Sequence, residues 1–216
     1  MLTRLVICRV RPEARARFED GQRQWGVLSG VPGFQGLVGG WRTDVPNQAV
    51  LAVFWDNPAA LRRFMGQHYV MLVHRLGLHR ATLKTVFSDW NLECSIDGCE
   101  ASLGLASAKA HMMRVVRCGI KPGQVLRFLD SQRTVWNPGL REVGGYLGGC
   151  LSSGLEQRSD FLTTMFWTSA DDHQRYLDGP FTELYTRSGL GGDTTWLEGM
   201  RVEIEPGWTV PGIPSA

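Results

Sequence analysis

Hydrophobic and polar positions along the chain change period in a regular order. Residues 2–10 alternate and are rich in Val, Ile and Leu, which predicts a strand. Pro12 follows, a residue favoured in the first turn of a helix. Ala14, Phe18 and Trp25 then predict a helix to about residue 28. The segment VPGF at 31–34 reads as a turn. Strands are predicted at 34–42 and 49–56, joined as a hairpin around DVPN. A second helix starts at Asn57-Pro58, with Asn57 as its N-cap and Leu61, Phe64 and Met65 as its buried face. A break at Gly66-Gln67 leads to a short helix ending at Gly77, and the last strand covers 81–95.

The same order returns in the second half of the chain. Strand 112–120, helix 122–136, strands 143–152 and 160–168, helices 169–178 and 180–188, and strand 193–205 repeat the first set. The repeat is visible in the letters as well as the periodicity, and such self-similarity decides the fold. FWDNPAALRRFMGQHYVMLVHRLGL at 54–78 aligns without gaps with FWTSADDHQRYLDGPFTELYTRSGL at 166–190. Phe54/Phe166, Trp55/Trp167, Arg63/Arg175, Leu72/Leu184, Arg75/Arg187, Gly77/Gly189 and Leu78/Leu190 are identical. VICRVRP (6–12) answers VRCGIKP (116–122), Trp25 answers Trp136, and GLVGGW (36–41) answers GYLGGC (145–150). The offset drifts between 109 and 112, which places small insertions in loops.

Two βαββαβ units therefore stand in tandem, an α+β class. Each folds as a ferredoxin-like unit, an antiparallel sheet with both helices on one face. The other sheet face is apolar and must be covered. The second copy is the simplest cover, so the two sheets are expected to pack as an intramolecular dimeric α/β barrel. Trp55 and Trp167 would fill its interior. The expected divisions are a first unit at 1–96, a linker at 97–110, a second unit at 111–206 and an irregular surface tail at 207–216.

Composition narrows the function classes. Hydrophobic residues make up 43% and charged residues 20%, as in a globular protein, and the net charge is +2. No basic stripe marks a nucleic-acid partner. No run of about 18 apolar residues marks a membrane span. MLTRLVICRVRPEARARF carries charges too closely spaced for a signal peptide, so a cytoplasmic location is expected. Cys8, Cys94, Cys99, Cys118 and Cys150 are odd in number and read as free thiols. The C-x4-C pair of Cys94 and Cys99 has no second pair nearby, and no metal cluster is expected.

The turn Val31-Pro32-Gly33-Phe34-Gln35-Gly36 and the strand ending Val53-Phe54-Trp55 before a helix resemble the antibiotic-biosynthesis monooxygenase family of the dimeric α/β-barrel superfamily. The resemblance covers nearly the whole chain, twice. It implies a small-molecule pocket between each sheet and its helices. The family includes cofactor-independent quinone-forming monooxygenases, haem-degrading oxygenases and many proteins of unknown role. The haem-degrading branch uses an Asn on the first strand, a Trp in the second helix and a His about ten residues later. Here those positions hold Val6, Phe64 and His74 in the first unit, and Val116, Tyr176 and Thr186 in the second. Only His74 matches, so haem held through His74 is a minor alternative.

The candidate chemistry gathers in the first unit. His74, His68 and Tyr69 are candidate catalytic groups, able to take a proton from a phenol and hold its oxygen. Trp25, Trp55, Phe64, Trp136 and Trp167 are candidate substrate-binding residues, although duplicated Trp is more often core. His173 faces Leu61 in the repeat and is expected at the surface. The recurring Arg63/Arg175 and Arg75/Arg187 are expected to pair with carboxylates across the unit interface. Gly39-Gly40 and Gly148-Gly149 lie in strands and mark bulges or close backbone approach. The leading expectation is a cofactor-independent monooxygenase-like protein acting on an aromatic small molecule. The alternative is a ligand-binding or structural barrel without turnover. A further chain-to-chain dimer is left open.

Overall fold

The computed structural model of the protein describes residues 1–212. The last four positions of the expected tail, 213–216, lie outside the described residues. Nine strands are described: β1 (Leu2–Val10), β2 (Phe34–Arg42), β3 (Gln48–Trp55), β4 (Thr82–Asp97), β5 (Met112–Ile120), β6 (Tyr146–Gly154), β7 (Asp160–Trp167), β8 (Thr194–Ile204) and β9 (Val210–Pro211). The chain divides into two compact units, Met1–Asp89 with Val202 onward, and Trp90–Arg201. The boundaries thus fall inside β4 and β8, not in the expected linker. The reason is the length of these strands, which outrun the hydrogen-bonding partners of one unit.

In unit 1, β3 pairs antiparallel with β1 from Leu2↔Trp55 to Arg9↔Gln48, and with β2 on its other side. The end of β8 joins the free edge of β2 through Gly40↔Ile204, Trp41↔Glu203 and Arg42↔Val202. Gly40 is needed there, because an added Cβ would collide with the Glu203 carbonyl. Unit 2 repeats the plan. β7 pairs with β5 from Met112↔Trp167 to Gly119↔Asp160, and with β6, whose outer edge takes the second half of β4. The bulges match as well: β2 slips between Phe34 and Gly36, and β6 slips between Tyr146 and Gly148.

The helices begin where their sequence signals stand. Asn57 is extended and its side chain accepts from the Ala60 N–H at 3.0 Å, capping the helix Pro58–Phe64. Ser169 caps the helix Ala170–Asp178 in the same way, through the Asp172 N–H. Gly77 and Gly189 both take the left-handed conformation that ends the following helix of each unit.

Four details differ from the sequence pattern. The helix does not break at Gly66-Gln67. It continues through a π-helical turn, Met65–Tyr69, into the helix Val70–Arg75. The first long helix of unit 1 is shorter than expected, Arg15–Gln22, followed by a 3-10 turn at Trp25–Gly30. In unit 2 the corresponding stretch passes through another π-helical turn, Gln132–Trp136, which absorbs the extra residue behind the drifting offset. Finally, the expected linker holds a helix, Leu103–Lys109, capped by Ser102 and anchored by the fully buried Ala106.

The C-terminal segment also departs from a surface tail. β9 pairs with β2 at Gly36↔Pro211 and Leu37↔Val210. Trp208 is fully buried in unit 1, edge-on to Phe18 at 5.6 Å and to Trp41 at 5.4 Å. A large indole gains more by burial than the Pro- and Gly-rich backbone around it loses by ordering. Replacing Trp208 by Ala is expected to destabilise the protein by about 3–5 kcal/mol. Chemical denaturation followed by far-ultraviolet circular dichroism measures this, and an unchanged midpoint would contradict the buried placement.

Candidate functional site

Each unit carries a cavity between the helix-facing side of its sheet and its helices. Trp55 and Trp167, expected in an interior between two sheets, lie instead on this helix-facing side. Trp55 packs on Phe64 with ring centres 5.1 Å apart at 31°, and Trp167 packs on Tyr176 at 5.1 Å and 33°. The duplicated geometry fixes the second helix of each unit over the end of its third strand. The cavity opens beside this contact.

The unit 1 cavity is small, about 80 Å³. Trp25, Trp55, Phe64 and Tyr69 line it, with Arg4, Cys8, Gln22 and Phe87. Arg4 is held by a bidentate pair with Asp89, at 2.7 Å for both bonds, and its guanidinium lies 5.1 Å from the centre of the Phe87 ring. Burial, then the neighbouring Cys8, pushes the Tyr69 phenol up to about 12, so it stays protonated. Burial also pushes Cys8 up to about 11, against a hydrogen bond with Thr85 that lowers it. Arg4 Nη1, Gln22 Oε1 and Trp55 Nε1 are buried without a partner in this cavity.

The unit 2 cavity is nearly three times larger, about 230 Å³. Its lining corresponds to that of unit 1 position by position, with more polar chemistry. His173 stands for Leu61, Tyr176 for Phe64, Tyr185 for Val73 and Thr163 for Leu51. Arg114 answers Arg4, Gln132 answers Gln22 and Trp136 answers Trp25. The π-helical turn delivers both Gln132 and Trp136 to the wall. Rings continue around the cavity, with Phe181 5.7 Å from Tyr176 and 5.6 Å from Tyr185.

His173 is a candidate site residue that the sequence pattern misses. It is 1% exposed, not a surface group. Its ring meets the Trp167 ring edge-on at 5.2 Å and lies 6.2 Å from Tyr176. Burial, then the positive charges of Arg114 and Arg201, hold its pKa down at about 4. The imidazole is therefore neutral at physiological pH. The available signal was its helical spacing: it precedes Tyr176 by one turn and occupies the buried Leu61 position.

The expected catalytic set does not assemble. His68 and His74 are exposed, and neither lines the unit 1 cavity; among the three, only Tyr69 does. His74 stacks on His79, ring centres 4.1 Å apart. Helical geometry explains the miss, because the π-helical turn rotates His68 away while it brings Tyr69 inward. A haem held through His74 does not fit, since that ring lies outside both cavities. Among the described residues no group of three or more His, Cys, Asp and Glu could hold a metal ion. Of the substrate-binding set, Trp25, Trp55 and Phe64 line the first cavity and Trp136 the second; Trp167 backs His173 from behind. Arg175 and Arg187 pair within their own helices, with Asp172 and Glu183, rather than across the units. All five cysteines are free thiols, as expected. Among the described residues no helix is long and apolar enough to cross a membrane.

The low pKa of His173 makes a stability prediction. In the unfolded chain this group takes up a proton as pH falls through about 6.5, whereas in the folded chain it waits until about 4. The fold keeps its full stability above pH 6.5 and loses on the order of 3 kcal/mol between 6.5 and 4. In thermal melts across that window the wild type should lose stability relative to His173→Leu as pH falls. Parallel curves would contradict a buried neutral imidazole.

Residues 2–85 match a family described as a domain of unknown function (DUF4937). An uncharacterized protein of Bacillus subtilis (strain 168), YdbC, is 37% identical over 67 residues, 30% of this chain. The match spans 56% of that protein's length. Among solved structures, a proposed monooxygenase from Lactobacillus acidophilus NCFM superposes over 97% of this chain and 95% of its own, with a TM-score of 0.74 and 8% identity. An anthrone oxidase-like protein superposes over 94% and 91%, at 0.67 and 13%. The haem-degrading enzyme of Listeria monocytogenes superposes over 94% and 99%, at 0.50 and 10%. These likenesses show the fold: the chain has the ferredoxin-like α+β fold that these monooxygenase-like proteins share.

Proposed function

We propose that the protein is a cofactor-independent oxygenase whose working pocket is the unit 2 cavity, acting on an aromatic small molecule. The observation that carries this reading is His173, a neutral and nearly inaccessible imidazole in an aromatic-lined cavity. General base catalysis needs an unprotonated acceptor within reach of the substrate proton, and burial supplies it here at any pH above about 4. The rings of Trp136, Tyr176, Phe181 and Tyr185 favour a flat apolar substrate.

The chemistry can be written from these groups. His173 removes a proton from an acidic O–H or C–H of the substrate. The resulting phenolate or carbanion supplies the electrons that reduce dioxygen, and a carbon–oxygen bond forms. The hydroperoxide then collapses, losing water, and leaves a carbonyl at that carbon. Dioxygen is the only oxidant required. Burial pushes the Tyr176 phenol well up, so it can donate a hydrogen bond to the developing oxyanion. The dry walls keep the anion from being reprotonated by solvent. The names of the structural neighbours, a proposed monooxygenase and an anthrone oxidase-like protein, agree with this class.

A second reading, ligand binding without turnover, is favoured by the unit 1 cavity, which is tight and holds no histidine. We assign that role to unit 1.

Oxygen uptake with anthrone as the probe substrate separates the two. Wild type should consume oxygen above the uncatalysed rate. His173→Leu, which copies the residue already tolerated at position 61, should lower kcat by about 10²–10⁴-fold. His68→Ala and His74→Ala should leave it unchanged, because both rings are exposed and outside the cavities. Equal rates for wild type and His173→Leu would refute the assignment.

A further inference from the structure

Buried polar atoms without partners are unevenly placed in this protein. Among the described residues, ten buried side-chain nitrogens and oxygens lack a hydrogen bond. Three of them, Arg4 Nη1, Gln22 Oε1 and Trp55 Nε1, belong to residues that line the unit 1 cavity. None belongs to a residue that lines the unit 2 cavity. A buried polar group that has given up water needs another partner. Three such groups around one small space mark a place where a bound molecule supplies the bonds.

Each of the three is delivered by a different element. Arg4 stands on β1, and Asp89 accepts from its Nε and Nη2 at 2.7 Å each, which leaves Nη1 over. Trp55 ends β3. The register sets Arg4 opposite Val53 and Leu2 opposite Trp55, so Arg4 and Trp55 are diagonal neighbours on one face of the sheet. Gln22 ends the helix Arg15–Gln22 and is 3% exposed. Its counterpart Gln132 donates to Asn137 at 2.8 Å. With Trp25 matched to Trp136, Gly26 takes the place of Asn137 in unit 1 and has no side chain to offer.

The chemistry of the three atoms describes a ligand. Arg4 and Asp89 cancel in charge, so the site suits a neutral group. The guanidinium and indole N–H groups donate from the sheet side, and Gln22 Oε1 accepts on the helix side. A carbonyl oxygen beside an N–H answers both. Trp25 and Phe64 supply flat apolar walls, and a cavity of about 80 Å³ admits only a few heavy atoms.

We propose that the unit 1 cavity binds a small neutral primary amide, its carbonyl oxygen accepting from Arg4 and Trp55 and its N–H donating to Gln22. This rests on the reading of unit 1 as a cavity that binds without turnover, and it names the chemistry bound.

The test compares propionamide with butanone, which has the same shape but carries a methyl in place of the amide nitrogen. The full-length protein, labelled with ¹⁵N at its tryptophan indoles, is titrated with each and followed by nuclear magnetic resonance. Trp55→Phe identifies the Trp55 N–H signal, and the Trp136 and Trp167 signals report on unit 2 separately. In wild type, propionamide should move the Trp55 signal downfield and bind about 10-fold more tightly than butanone. Gln22→Met should remove that preference while leaving butanone affinity unchanged. The wild-type comparison needs no variant, so it decides the matter even if Gln22→Met fails to fold. Equal affinities with a moved Trp55 signal would overturn the amide and leave unit 1 a binding cavity. A Trp55 signal that neither probe moves would overturn both, with ordered water as the occupant. A preference that survives Gln22→Met would overturn the assignment of the acceptor and the proposal with it.

Discussion

Everything at the functional end of this protein depends on one ring-on-ring contact, made twice. Trp55 on Phe64 and Trp167 on Tyr176 hold each second helix at a fixed height above its sheet. Large rings at that corner prop the helix away from the middle of the sheet. The space so formed is lined by whatever the first strand, the two helices and the last strand present. A smaller residue at 55 or 167 would let the helix settle and fill that space, since protein interiors close around what they contain. The cavity is thus a product of core packing at its edge, and its chemistry can change without disturbing the fold.

That separation explains how the two copies have diverged. The scaffold positions persist: capped helices, left-handed Gly77 and Gly189, and bulges before Gly36 and Gly148. The lining positions have moved apart. The unit 1 cavity is smaller, with Arg4 paired to Asp89. Unit 2 has become larger and more polar, with His173, Tyr176 and Tyr185 replacing Leu61, Phe64 and Val73. In unit 2 these polar groups stand among aromatic walls that include Phe128, Trp136 and Phe181.

The scaffold was legible in the sequence because periodicity and repetition are both local signals. The helix expected at 180–188 is found at Pro180–Ser188, and the strand expected at 112–120 at Met112–Ile120. The site was less legible, for physical reasons that differ by residue. A π-helical turn has no compositional signature, so the rotation that turns His68 outward and Tyr69 inward could not be read. His173 lacked a polar counterpart and therefore looked incidental, although burial of Leu61 at the matching position was the clue. Trp208 sits in a Pro- and Gly-rich stretch that reads as a loop, and nothing local reports that a distant Phe18 and Trp41 leave a place for it.

The chain's path carries a consequence for synthesis. Unit 2 is one continuous stretch, Trp90–Arg201, but unit 1 needs Val202 and the residues after it. The half that emerges from the ribosome first must wait for the last residues to be added before Trp208 can seat. Until then its first strands and helix are translated but incomplete, and the later half can reach its native form ahead of them. N-terminal fragments ending before Trp208 would therefore be trapped with an open apolar core, whatever the quality of their local sequence.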